Sequence, residues 1–200
     1  ETKAVFQVGS QRVSSIAFKK AKELYQAGAI GQINSIEASF NRQSALGAWQ
    51  YTIPLDASPQ TVDWERFQAT EKIQRHYDSK RFFRWRNYRE YGTGVAGDLF
   101  VHLLSGIHFI TDSKGPDKIF SIGDLAYWKD GRNVPDVMNA VIQYPDCKEH
   151  PAFEVVLRVN FISGDGEHSS TKITGSEGVM DISSENGFTI NKNKMPVAPG

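Results

Sequence analysis

The sequence is poor in cysteine: Cys147 is the single one in 200 residues. An internal disulfide is therefore excluded, and a cysteine-rich metal site has no second thiolate to draw on. The flanks of Cys147, Tyr144-Pro145-Asp146 and Lys148-Glu149-His150-Pro151, read as a polar turn carrying an inert loop thiol. No charge of either sign is in surplus, with 23 basic side chains against 23 acidic ones. A neutral chain offers no general phosphate-binding surface, which speaks against a nucleic-acid partner. No apolar run approaches the roughly 18 residues that cross a bilayer, so no membrane partner is expected. The opening Glu1-Thr2-Lys3-Ala4-Val5 is not a secretory signal and has no initiator methionine, and residues 194–200 end as a loop. Both ends read as cuts through a longer chain, which leaves the compartment open. Internal repeats and low-complexity tracts are also missing. The 12% aromatic content suits a packed globular domain.

Val5-Phe6-Gln7-Val8 alternates and reads as a strand. Ser14 or Ser15 can cap a helix over 16–26, with Ile16, Phe18, Leu24 and Tyr25 as its apolar positions and Gly28 as its stop. A strand is expected over 33–40. From 41 to 80 the periodicity fails, and Trp49, Trp64, Phe67, Pro54 and Pro59 are scattered through the segment. A structureless connection of that length is unusual, so short helical pieces pinned by aromatics, or a functional loop, are expected. Next comes a dense basic and aromatic run, Arg81 to Arg89, then a turn at Tyr91-Gly92-Thr93-Gly94. A helix over 95–110 is apolar almost all round and should be buried on most sides. The remainder reads as strands at 118–127, 136–144, 153–161, 167–174, 179–182 and 188–190, separated by turns that include Asn186-Gly187. Strands joined by short turns imply a mainly antiparallel open sheet. Helices earlier in the chain would cover one of its faces, making an α+β domain over 1–200.

Asp98 and His102 are the sharpest chemical feature. They lie four apart on the apolar helix, so their Cβ atoms fall roughly 5–6 Å apart on one face. A carboxylate beside an imidazole favours the charged ring and sets its tautomer, which suits acid–base work near neutral pH. A hydrogen-bonded structural pair, or an aspartate that favours the helix dipole, fits the same spacing. No third ligand is placed to make a metal site, and none is expected. His108 faces elsewhere and reads as a satisfied core or rim histidine. His76, His150 and His168 stand in polar surroundings and are expected at the surface. Arg81, Arg84 and Arg86, interleaved with Phe82, Phe83 and Trp85, suit stacking and bidentate contacts to a polar ligand, or a salt-bridged amphipathic wall. Gly92-Thr93-Gly94 with Gly97 mimics a dinucleotide-binding glycine pattern. It follows no plain buried strand, and no acidic residue follows at the right distance, so that reading is rejected.

Four stretches in order carry a resemblance to a known family. They are Val5 to Arg12, the Ala27-Gly28-Ala29-Ile30-Gly31-Gln32-Ile33 turn into a strand, the Gly97-Asp98…His102 helix, and Gly175-Ser176-Glu177-Gly178 in a late hairpin. Together they resemble the C-terminal domain of the glucose–fructose oxidoreductase / inositol dehydrogenase (Gfo/Idh/MocA) family. The resemblance implies an open antiparallel sheet domain that works beside an N-terminal Rossmann domain, absent from this chain, which binds NAD or NADP. It implies hydride transfer between the nicotinamide and a sugar, polyol or related hydroxy compound. In that scheme His102 transfers the proton, and Asp98 orients it or binds a hydroxyl. Arg81, Arg84 and Tyr88 contact substrate from the segment before the helix, and Arg12 is a further candidate at the end of the first strand. The family's catalytic lysine belongs to a segment before Val5, so the isolated chain is expected to be inactive. A homodimer or homotetramer through the sheet face is also implied. A non-catalytic ligand-binding or oligomerisation module of the same fold is the alternative.

Overall fold

The computed structural model describes residues 3–184 and 187–192. Helix α1 spans Ile16–Gln26, with Ser15 at its N-cap. Its inner face is Ala17, Phe18 and Ala21, all buried, whereas Ile16, expected on that face, is exposed. Gly28 at φ +74° ends it, with Gly28 N–H donating to the Tyr25 carbonyl and Ala29 N–H to that of Leu24. Strand β1, Ile33–Asn41, follows. The excursion after it carries two short helices, α2 (Trp64–Phe67) and α3 (Ser79–Phe83), as its broken periodicity predicts. A 3₁₀ turn at Trp85–Asn87 and a π-helical turn at Ala96–Phe100 lead into α4, Val101–Thr111. The six remaining strands are β2 (Lys118–Asp124), β3 (Val137–Tyr144), β4 (Phe153–Asn160), β5 (His168–Gly175), β6 (Gly178–Ser184) and β7 (Gly187–Lys192).

The strands form one sheet in the order β2-β3-β4-β1-β5-β6-β7. Among the described residues only the β1–β4 pair is parallel; every other neighbour is antiparallel. The fold is therefore α+β with an open, mainly antiparallel sheet, as the turn spacing implied. The alternation of β4 is read directly by burial: Phe153, Val155, Leu157 and Val159 face the helices, while Glu154, Val156 and Arg158 face away. α1 and α4 cover the inner face. Their close approach depends on Gly106, where a Cβ would lie 2.3 Å from Phe18 Cε1. Leu103, Ile107 and Ile110 of α4 are fully buried in the same core as Ile36, Val155 and Leu157. Burying each such side chain contributes about 1.5–3 kcal/mol.

Four expectations are corrected. Val5-Phe6-Gln7-Val8 is not a strand: no neighbour pairs with it among the described residues, and Val5, Phe6 and Val8 are exposed. Strand β2 stops at Asp124 and not at Tyr127, because the Asp136 carboxylate gathers the N–H groups of Ala126, Tyr127 and Trp128 into a loop. The helix expected over 95–110 is not uniform, since its first turn is π-helical. His150 is buried, not on the surface. Its Nε2 lies 2.8 Å from Ser113 Oγ and its Nδ1 2.9 Å from the Pro151 carbonyl, and its ring packs on Tyr144 and Phe153. His108 is a satisfied histidine, 2.7 Å from the Tyr144 hydroxyl, and burial holds its ring below the usual imidazole pKa. Cys147 is exposed. Of the Asn186-Gly187 turn, Asn186 lies outside the described residues.

Candidate active site

The wide turn at Ala96–Phe100 carries Asp98, and the first turn of α4 carries His102. Asp98 is held from the preceding segment, its Oδ1 accepting from Arg86 Nε at 3.0 Å. Both partners keep about a third of their side-chain surface in solvent, 32% and 29%. The Arg86 guanidinium lies 4.3 Å from the Trp85 ring centroid, so an aromatic face and a carboxylate fix it together. His102 is half-buried, and its ring sits 6.3 Å from that of Phe40.

Phe40 joins His102 to Arg12. The Arg12 guanidinium lies 5.8 Å from the Phe40 ring and 5.5 Å from that of Phe18, and its Nη2 donates to Ser169 Oγ at 3.0 Å. A bond from Ser10 Oγ to Ser105 Oγ, 3.0 Å, lays the chain before Arg12 across α4 one turn beyond His102. Arg12 itself adopts φ +76°, a left-handed conformation uncommon for a residue with a side chain. Backbone strain of this kind costs about 1–3 kcal/mol and persists where surrounding contacts over-determine it. Arg12 and His102 thus flank the same Phe40 ring, and Asp98 lies on the turn that leads into α4.

Arg81, Arg84 and Tyr88 are engaged within the chain. Arg81 bonds Glu90 at 3.0 Å and Asp78 at 3.3 Å, and its guanidinium lies 4.3 Å from the Tyr88 ring. Tyr88 is buried, and that burial pushes its hydroxyl above the usual phenol pKa. Arg84 Nε donates to the Tyr51 carbonyl at 2.9 Å, and its Nη1 donates to Gln50 Oε1. These contacts fasten the basic segment to the excursion. Arg86 is the partner of Asp98, and its distance of twelve residues along the chain carries no periodic signal that sets it apart from Arg81 and Arg84. Among the described residues no group of three His, Cys, Asp or Glu could hold a metal ion. Gly92-Thr93-Gly94 follows a 3₁₀ turn and opens the wide turn of Asp98, so it lacks the strand that a pyrophosphate loop needs.

What the arrangement can do is move a proton. A half-buried imidazole opens α4, four residues after a carboxylate that Arg86 holds through Oδ1. Residues 60–181, more than half of the chain, match the profile of the GFO/IDH/MocA C-terminal domain. The chain belongs to the GFO/IDH/MocA family. A comparison with curated proteins finds no match. Solved GFO/IDH/MocA-like structures share its fold. An inositol dehydrogenase homologue from Azotobacter vinelandii, complexed with NADH and myo-inositol, is 11% identical with a TM-score of 0.59, over 90% of this chain and 38% of its own. The WlbA dehydrogenase from Bordetella pertussis, complexed with NADH and UDP-GlcNAcA, is 10% identical with a TM-score of 0.59, over 90% and 43%. A levoglucosan dehydrogenase complexed with NADH and levoglucosan is 16% identical with a TM-score of 0.52, over 90% and 40%. At these identities the likeness is one of fold, and the chain spans about two-fifths of the length of those proteins.

Proposed function

We propose that residues 1–200 are the substrate-binding and assembly domain of an NAD- or NADP-dependent oxidoreductase acting on a sugar, polyol or related hydroxy compound. The observation that carries this reading is the Arg86–Asp98 pair on the turn that leads into His102, inside the segment matched by the family profile. The cofactor is held mainly by a Rossmann domain outside this chain. The nicotinamide, when bound, supplies the acceptor for a hydride from the carbinol carbon. His102 takes the hydroxyl proton as that bond breaks and returns it in the reverse direction. Asp98, fixed by Arg86, orients the imidazole or accepts from a substrate hydroxyl. Arg12, close to His102 through Phe40, and Arg84 at the Tyr51 loop are the side chains assigned to other polar groups of the substrate. Arg81, stacked on Tyr88, is assigned to the same substrate side. The exposed apolar segment Val5-Phe6-Gln7-Val8 has the pattern of a strand that completes a sheet in the cofactor domain. On this reading the chain alone reduces neither NAD⁺ nor NADP⁺ in the presence of myo-inositol or levoglucosan. Robust formation of the reduced cofactor by the isolated chain, or a start codon immediately upstream of Glu1 in its gene, refutes it.

The helix-free face of the sheet supports the assembly part of the proposal. Phe120, Ile122, Val141 and Val156 are exposed there, at 70%, 74%, 45% and 39%. The strand register sets Phe120, Val141 and Val156 in one row with Glu37, Lys172 and Asp181. An apolar stripe ending in alternating charges fits a second copy of the same face, making a homodimer or homotetramer. Sedimentation that finds a monomer at micromolar concentration sinks this assignment and leaves the enzymatic one standing. The same face is what the alternative reading, a non-catalytic ligand-binding or oligomerisation module, would use.

A further inference from the structure

Arg42 is the first residue beyond β1, and its backbone is fixed on both sides. Its N–H donates to the Asn160 carbonyl at 2.8 Å, and its carbonyl accepts from Ser163 N–H at 2.9 Å. The side chain runs past Gly47, where a Cβ would lie 3.0 Å from Arg42 Cδ. Its guanidinium carbon then lies 5.1 Å from the Phe40 ring centroid, within the range of a cation–π contact. Phe40 pairs with Val159 and Ser169 in the sheet, and the fully buried Val159 marks this as the helix-covered face. The same ring neighbours Arg12 and His102. The guanidinium carbons of Arg12 and Arg42 and the ring centre of His102 therefore all lie within 6.3 Å of one phenyl centroid.

A guanidinium that gives up part of its water is normally matched by a carboxylate or by acceptors for its several N–H groups. Arg42 is half-buried and has neither: among the described residues no carboxylate pairs with it, and its side chain donates no hydrogen bond. Its Nε is buried, but the two terminal nitrogens are not shut away, so the open edge of the fork reaches solvent. The Glu167 carboxylate approaches the same glycine, Gly47, yet its bonds go to the turn at 43–44. It accepts from Ser44 Oγ at 2.6 Å, Ser44 N–H at 2.9 Å and Gln43 N–H at 3.2 Å, and these bonds hold its carboxyl below the usual range. Arg86, by contrast, is matched by Asp98. A planar fork with its open edge in solvent fits the paired oxygens of a carboxylate or phosphate, whereas a neutral hydroxyl leaves its charge unmatched.

We propose that Arg42 binds an anionic group, a carboxylate or a phosphate, carried by the hydroxy compound whose proton His102 handles. This rests on the oxidoreductase reading of His102 and narrows the ligand to one that bears a negative charge. The test is a titration of this chain followed through the Arg42 Nε–Hε and His102 ring signals in ¹H–¹⁵N spectra, with glucuronate, glucose 6-phosphate and glucose as probes at constant ionic strength. Glucuronate or glucose 6-phosphate moves both signals saturably, and the tighter of the two tells carboxylate from phosphate. Glucose, which carries neither group, binds about tenfold more weakly or not at all. Arg42→Gln, followed through the His102 signal, weakens the charged probe about tenfold, and Arg42→Lys, which keeps the charge without the fork, restores part of the loss. Melting curves check that both variants are folded. The proposal is overturned by glucose binding as tightly as the charged probes, by no saturable shift with either of them, by wild-type affinity in folded Arg42→Gln, or by a shift of the Arg42 signal alone, which puts the anion away from His102. Failure of the oxidoreductase reading shows elsewhere, as full turnover by a His102→Ala enzyme, and leaves this titration as it is.

Discussion

If the proposed oxidoreductase reading holds, replacing His102 with alanine in the enzyme with its cofactor domain lowers kcat by about 10³-fold while KM changes far less. Positioned proton transfer contributes roughly 10²–10⁴ in rate, and a thousandfold corresponds to about 4 kcal/mol of transition-state stabilisation. The hydroxyl must lose its proton as the hydride leaves, and His102 is the half-exposed imidazole at that end of α4. Asp98→Asn keeps the shape of the side chain but removes its charge, and it lowers kcat by a smaller factor. The double variant is little worse than His102→Ala alone, since residues that act as a unit are not additive. Arg86→Gln loosens Asp98 from its 3.0 Å bond and reproduces part of the Asp98→Asn loss. The measurement is the initial rate of reduced nicotinamide formation with any hydroxy compound that the wild-type protein turns over. A His102→Ala protein with wild-type kcat and an unchanged melting curve removes the proton-transfer reading altogether.

Local signals in the chain carried the elements well. The helix at 16–26 ends where Gly28 predicts, and the strand expected at 153–161 is β4, Phe153–Asn160. Such signals are written in consecutive residues. Pairing between distant strands is not. β1 lies between β4 and β5, parallel to one and antiparallel to the other, and no local pattern announces that insertion. The alternation of Val5-Phe6-Gln7-Val8 misled for the same reason: alternation shows that a segment can pair but supplies no partner. His150 misled because its sequence neighbours Lys148 and Glu149 are exposed, while its packing partners Tyr144 and Phe153 come from β3 and β4. In the candidate site, the spacing of Asp98 and His102 was visible because a helix converts spacing into proximity. The partner of Asp98 was not, because Arg86 reaches it across the turn at 92–94.

Asp136→Ala costs this domain about 3–5 kcal/mol, a large share of the 5–15 kcal/mol that holds a typical domain together. Asp136 has no exposed surface. Its Oδ1 accepts from Ala126 N–H at 2.7 Å, and its Oδ2 accepts from Tyr127 N–H at 2.8 Å and Trp128 N–H at 2.6 Å. Three backbone donors therefore converge on one carboxylate, and each hydrogen bond to a charged group contributes about 1.5–3 kcal/mol. Removing the acceptor strips three backbone donors of their partner and leaves a void where the fully buried carboxylate stood. Asp136→Asn is the sharper variant because it conserves volume. Its amide nitrogen must face a backbone N–H, so it forfeits at least one bond and costs about 2 kcal/mol. Urea unfolding midpoints read both, and an Asp136→Asn midpoint equal to wild type would show that the three bonds do not hold the loop. The damage should also travel. The loop seats Trp128, whose indole N–H donates to the Phe161 carbonyl at 3.0 Å, and Phe161 packs edge-on against Trp49 at 4.7 Å. The Trp49 carbonyl in turn accepts from the side chain of Asn87, the neighbour of Arg86. A slackened loop therefore reaches the residue that holds Asp98, and on the proposed oxidoreductase reading Asp136→Asn should lower kcat at temperatures where the domain is still folded.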